Sequence, residues 1–170
     1  MTPPMLRALR HDVWATEHLI AHCRTLTEEQ LELTAPGTYG TIRRTLEHIV
    51  GADERYLGRF RELPEPLLRE DHDVPLDEIA AHLGNVRAAV EALFSGQDFD
   101  PDRVIRDERR RSPAGKAYGI DAWVLVAQFV HHGSDHRAHI GTILGAQGLA
   151  APDLDVWTYA TKVGGLKELG

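Results

Sequence analysis

Cysteine is nearly absent from this chain: Cys23 is the only one in 170 residues. No internal disulfide can form, which suits a reducing compartment and sets the expectation of a cytoplasmic protein. An excess of basic charge is missing too. Nineteen Lys and Arg stand against 26 Asp and Glu, a formal net charge of −7. A duplex-binding surface needs a positive footprint, so nucleic acid is not an expected partner. Long apolar runs are also lacking. The longest wholly apolar stretch is Ala122 to Ala127, far short of the roughly 20 residues a membrane helix needs, so no membrane partner is expected. Met1 to Arg10 carries no continuous apolar segment of the secretory kind. Internal repeats and low-complexity tracts are absent as well. What is there is 42% hydrophobic and 26% charged, with 15 Gly and 9 Pro. That composition suits one globular domain over residues 1–170 with enough apolar material to close a core. Ten histidines are the feature that asks for an explanation.

Apolar periodicity predicts four long helices. The first runs from about Met5 to Thr25, with Leu6, Leu9, Val13, Thr16 and Ile20 on one face. The second runs from about Thr41 to Arg61 on a stripe of Ile42, Leu46, Ile49, Leu57 and Phe60. The third starts near Pro75, a residue suited to a first helical turn, and continues through Leu76, Ile79, Leu83, Val86, Val90 and Leu93. The fourth starts near Asp121, an N-cap candidate, and ends near Gly145. Glu62 to Val74, rich in Pro and acid, reads as a surface loop. Ser95 to Ile120 contains the turn signal Ser112-Pro113-Ala114-Gly115 and is compatible with a small β-hairpin or an irregular arm between helices three and four. Pro152-Asp153 opens a short terminal helix carrying Leu154, Trp157 and Tyr159. The expected fold is all-α: an antiparallel four-helix bundle with at least one long crossover.

Advancing about 100° per residue, Leu125, Phe129, His132, His136, Ile140 and Ile143 fall in one narrow arc of the fourth helix. With Trp123, Val126, Val130 and Leu144 on its other sides, this helix is expected to be the most buried of the four. His132 and His136 thus project from an inward face one turn apart, the spacing by which H-E-x-x-H helices hold zinc. Burying two imidazoles unpaired costs about 1 kcal/mol or more each, so something must satisfy them. Backbone carbonyls or core carboxylates would serve, and so would a metal ion with a third ligand. His48 lies on the second helix at the boundary of apolar and polar faces, where a ligand at a groove rim or an ordinary half-exposed His would sit. His11, His18 and His22 fall opposite the first helix's apolar face and read as solvated. His131 points away from the 132/136 arc, and His139 sits near it as a partner or pocket wall. His72 and His82 read as loop and surface residues.

The stretch from His131 to Ile140, HHGSDHRAHI, resembles the final-helix signature N-H-x-x-x-H-R-G-Q-I of the DinB/YfiT-like superfamily. Gly40 to Ile49, GTIRRTLEHI, is similar to that family's segment bearing its first metal ligand, and Pro152 to Trp157 resembles its C-terminal segment. The resemblance spans nearly the whole chain. It implies a four-helix bundle, often a homodimer, with a divalent metal held by His48, His132 and His136. His131 replaces the usual Asn, and Ala138-His139 replaces Gly-Gln. Neither change removes a ligand, but both alter the pocket wall, so substrate specificity does not carry over.

Three neutral imidazoles with a coordination position left open make a catalytic rather than a structural donor set, one suited to Zn, Ni, Co or Fe(II). Such a site can acidify a water for hydrolysis or take a low-molecular-weight thiol as thiolate. Thiol-dependent S-transferases and an isomerase within the superfamily imply the second route, with a small-molecule substrate. The alternatives are a metal-dependent hydrolase and a non-catalytic metal-binding stress-response protein. Cys23 reads as a packing residue rather than a nucleophile. No general acid or base is named: Glu47, Asp53 and Asp135 share no face with the ligands, and Asp12 and Trp14 flank helix one's apolar arc. Glu17, inside that arc, could reach the groove and accept from an imidazole N–H. Arg137 is expected to pair with an acid on a neighbouring helix.

Overall fold

In the computed structural model, residues 4–61, 63–64, 67–69, 74–96 and 99–169 are described, with the backbone alone at 108–111. His72 lies outside them. Helices α1 (Pro4–Cys23), α3 (Ile42–Leu57), α4 (Leu76–Phe94) and α5 (Ala122–Ala146) are the four long ones expected. A one-turn helix, α2 (Glu28–Leu31), precedes α3, and α6 (Val156–Lys162) ends the chain. Strands β1 (Val104–Arg111) and β2 (Ala117–Asp121) form the hairpin between α4 and α5.

Local chemistry accounts for most of the boundaries. Thr41 caps α3, its hydroxyl accepting from the Arg44 N–H at 3.1 Å. Thr27 and Gln30 close a reciprocal capping box on α2, a T-x-x-Q signal that the hydrophobic periodicity overlooked because one turn is too short to show a period. Pro75 is the N-cap of α4 rather than its first helical residue, and Asp121 occupies the N-cap of α5 without a side-chain capping bond. The hairpin turns where expected: Gly115 takes a φ of 73°, which an L side chain rarely adopts, and its N–H donates to the Ser112 carbonyl at 2.8 Å.

Ion pairs and ring contacts fix the helix directions. Arg10–Glu91 (2.6 Å), Glu17–Arg87 (2.8 Å) and Arg24–Asp77 (2.8 Å) run α1 antiparallel to α4. Glu54–His82 and Phe60–Phe94 run α3 parallel to α4, so the connection from Leu57 to Leu76 is the long crossover. His48–His136 and Tyr56–Gln128 run α3 antiparallel to α5. Each of α1 and α3 packs on both α4 and α5, which places α1 and α3 across the bundle diagonal. Leu6, Leu9, Ile20, Ile42, Leu46, Ile49, Ile79, Leu83, Phe129 and Ile143 fill the centre.

Burial departs from expectation in one respect. Twelve of the 16 residues of α3 are buried against 10 of 25 in α5, so α3 is the more enclosed. Helix α5 outruns its neighbours at its N-terminal end, leaving Trp123 51% and Val124 38% exposed beside the hairpin. A small second core of Ile105, Ala122 and Leu125, backed by Tyr56, Phe60 and Phe99, seats the hairpin against this end of α3.

Candidate metal centre

Helix α3 carries His48 on its rim, and α5 carries His132 and His136 one turn apart on the face that packs against it. The antiparallel α3–α5 contact brings the three rings together. His48 and His132 centroids are 4.9 Å apart, His48 and His136 4.8 Å, and His132 and His136 4.4 Å. One ring nitrogen from each lies within 4.8 Å of the other two. Among the described residues this is the group of three or more His, Cys, Asp or Glu side chains placed to hold a metal ion. His136 is buried, whereas His48 and His132 are half-buried, as a site open on one side requires.

The donor set is all nitrogen. The Nε2 atoms of His132 and His48 face each other at 3.0 Å, an arrangement in which one imidazole must donate to the other unless a cation takes both lone pairs. His132 Nδ1 is buried with no hydrogen-bond partner among the described residues. Burial, followed by the neighbouring His136, His48 and Arg55, lowers the His132 pKa to about 4, against a small opposing influence of Asp135. His132 is therefore neutral with its lone pair available. One nitrogen from each ring already lies within 4.8 Å of the other two, so the three could be ligands of a single ion. The residues present fit a divalent transition metal.

Two tyrosines complete the surroundings, neither evident from the sequence pattern. Tyr39, in the loop before α3, lies stacked on His48 with centroids 4.0 Å apart and an 18° interplanar angle, and meets His136 edge-on at 5.0 Å. Tyr56 stands edge-on to His132 at 5.7 Å, and Gln128 Nε2 donates to its hydroxyl at 3.4 Å. Eight residues place Tyr56 about 80° round α3 from His48, so helical spacing alone does not signal it. Tyr39 reaches the site through a loop fold that has no sequence periodicity.

The other predicted residues separate clearly. Arg137 pairs with an acid on α1, as expected: its Nη2 donates to Asp12 Oδ1 at 2.5 Å and its Nη1 to Thr16 Oγ1 at 2.9 Å, all buried. Asp53 is fully buried beside this pair with no hydrogen-bond partner among the described residues, and burial together with the Asp12 charge raises its pKa well above the usual carboxylate value. Cys23 is buried, its thiol pushed up to about 12 by desolvation, so it is no nucleophile. His139 stands 5.2 Å from His136 as a wall of the site, and His131 and Asp135 are exposed.

Three readings are corrected. Glu17 does not reach the groove, because Arg87 of α4 holds it at the surface. His82 is not a surface residue: its Nδ1 meets the buried Glu54 carboxylate at 2.7 Å, and Glu54 also accepts from the Leu68 N–H. His11 and His22 are half-buried rather than solvated, and at His11 the cover comes from α6 folding back over α1. His11 Nε2 lies 2.9 Å from the Leu154 carbonyl, and its ring joins a cluster with Trp14 and Tyr159, while His18 remains exposed, stacked on Trp14.

A four-helix bundle with an all-histidine constellation at the α3–α5 seam defines the class of protein. The sequence model of the DinB family matches residues 1–164, and the chain belongs to that family. Among solved structures, it is similar to a DinB-like protein from Bacillus cereus ATCC 10987, at 21% identity and a TM-score of 0.61 over 88% of this chain and 94% of that one. At that identity the likeness establishes the fold. No curated protein matches the sequence.

Proposed function

We propose that this protein is a metal-dependent enzyme acting on a small molecule, with His48, His132 and His136 as the metal ligands and thiol-dependent S-transfer as its reaction. The observation that carries this reading is the convergence of three imidazoles from α3 and α5 with no carboxylate among them. Such a set suits Zn, Ni, Co or Fe(II) and leaves a position for an exchangeable ligand. When bound, the ion supplies Lewis acidity that favours the deprotonated form of a thiol or a water. The chain's part is to keep His132 neutral by burial and to wall the site with Tyr39, Tyr56 and Gln128. The chain cannot provide the nucleophilic sulfur itself, because Cys23 is buried and held protonated. The thiol must therefore be a cosubstrate. In the reaction the S–H proton leaves, a sulfur–carbon bond forms, and the leaving group departs from the electrophile with its electron pair.

The test is incubation of metal-loaded protein with a low-molecular-weight thiol and a panel of electrophiles. Thiol-dependent turnover is the expected result. Turnover without thiol would favour hydrolysis, and no turnover despite a bound ion would favour a non-catalytic role. Protein purified without a tag is expected to hold one ion per chain, and His132→Ala to lose it; an unchanged metal content in that variant would overturn the ligand assignment.

A further inference from the structure

We infer that Tyr39 is the positioning residue of the metal centre: its ring, laid flat on His48 and edge-on to His136, sets the imidazole planes from which those two residues present their nitrogens. The inference rests on the metal-binding reading above.

Imidazole ring torsions are broad, so a ligand ring needs external contacts to define its plane. His48 stands at the half-buried rim of α3 rather than in the core. The contact that Tyr39 makes there is of a particular kind. At 4.0 Å and 18° it covers the face of the His48 ring and leaves the edge open. Imidazole lone pairs lie in the ring plane, so a stacked neighbour restrains rotation without occupying the ligand direction. In that orientation His48 Nε2 points edgewise to His132 Nε2 at 3.0 Å. The same phenol ring meets His136 at 5.0 Å and 81°, so one side chain restrains two of the three imidazoles.

The loop that delivers Tyr39 is itself built. Thr38 donates from both its N–H (3.2 Å) and its hydroxyl (2.8 Å) to the Ala35 carbonyl, and the Ile42 N–H donates to the Leu33 carbonyl at 3.3 Å. Tyr39 is thereby held two residues ahead of the Thr41 cap from which α3 starts. Tyr39 is 41% exposed and lies outside the bundle core.

The experiment compares wild type, Tyr39→Phe, Tyr39→Leu and Tyr39→Ala by Zn affinity, by the visible d–d spectrum of the Co(II)-loaded protein, and by thermal melting of the metal-free protein. Phe keeps the stacked face, so both its metal readouts should stay within about twofold of wild type. Leu and Ala remove that face and should weaken Zn binding roughly tenfold, the usual scale for losing a group that orients a ligand. Both should alter the Co(II) spectrum, which reports coordination geometry, while the metal-free melting temperature stays unchanged. Ala and Leu variants matching wild type in affinity and spectrum would overturn the positioning role alone. A Phe variant as impaired as Ala would also overturn it, by transferring the effect to the hydroxyl. A wild-type protein that takes up neither Zn nor Co(II) would overturn the metal reading, and this role with it.

Discussion

Gly133 sits between His132 and His136 on α5, beside the buried Asp12–Arg137 pair. A Cβ added there would lie 2.7 Å from Arg137 Nη1, 2.7 Å from Asp12 Oδ2 and 3.0 Å from Asp12 Oδ1. Contacts with the ends of flexible side chains are normally cheap to relieve. Here both partners are buried and joined at 2.5 Å, so neither can retreat without loosening the other. Gly141, eight residues further along the same helix, is a natural control, because a Cβ there would meet nothing within 4 Å. Both substitutions to Ala gain the same helix propensity, about 1 kcal/mol. Gly141→Ala should therefore stabilise by up to about 1 kcal/mol. Gly133→Ala offsets that gain with an overpacking cost of about 1–3 kcal/mol. Where the ion pair is forced apart, the cost approaches the roughly 3–5 kcal/mol of a broken buried pair. The variants should differ by about 1–5 kcal/mol in urea unfolding, and by at least ~2 °C in Tm at this chain length. If Gly133→Ala proves as stable as Gly141→Ala, the close approach of α1 to α5 is wrong as drawn.

Arg137→Met should cost about 3–5 kcal/mol by stranding the buried Asp12 carboxylate, and adding Asp12→Leu should recover most of the loss in urea melts. Asp53 has a raised folded pKa, so the folded state holds its proton more tightly than the unfolded state, and stability falls as pH climbs from about 4 toward that folded value. Asp53→Asn should then stabilise by roughly 1–3 kcal/mol at pH 7, and the gain should vanish below about pH 4; a gain that does not vary with pH would refute the linkage. For His132 the sign is reversed. Its pKa is lowered to about 4, so the metal-free protein should lose stability as pH drops from about 6.5 to 4, by about 1–2 kcal/mol after allowing for partial exposure. His132→Gln should flatten that limb of the Tm–pH curve.

The amino-acid order alone determined the four long helices and the inward arc that carries His132 and His136, because a helical period of about 3.6 residues turns spacing directly into facing. It also determined the Gly115 turn and the packing role of Cys23, which depend on near neighbours. Pairing across the bundle is another matter. Spacing cannot say which helix lies beside which, so the sequence left His48 on an ambiguous rim and took Glu17 and His82 for the wrong environments. The antiparallel α3–α5 contact set His48 against His132, the parallel α3–α4 crossover closed Glu54 on His82, and the antiparallel α1–α4 contact gave Glu17 to Arg87 at the surface. Tyr39 comes from a loop, and Asp53 from a helix face that looks unremarkable until α1 and α5 seal it. Only three-dimensional packing could place an aromatic ring on a histidine or exclude water from a carboxyl, because both effects act through contacts between residues far apart in the chain.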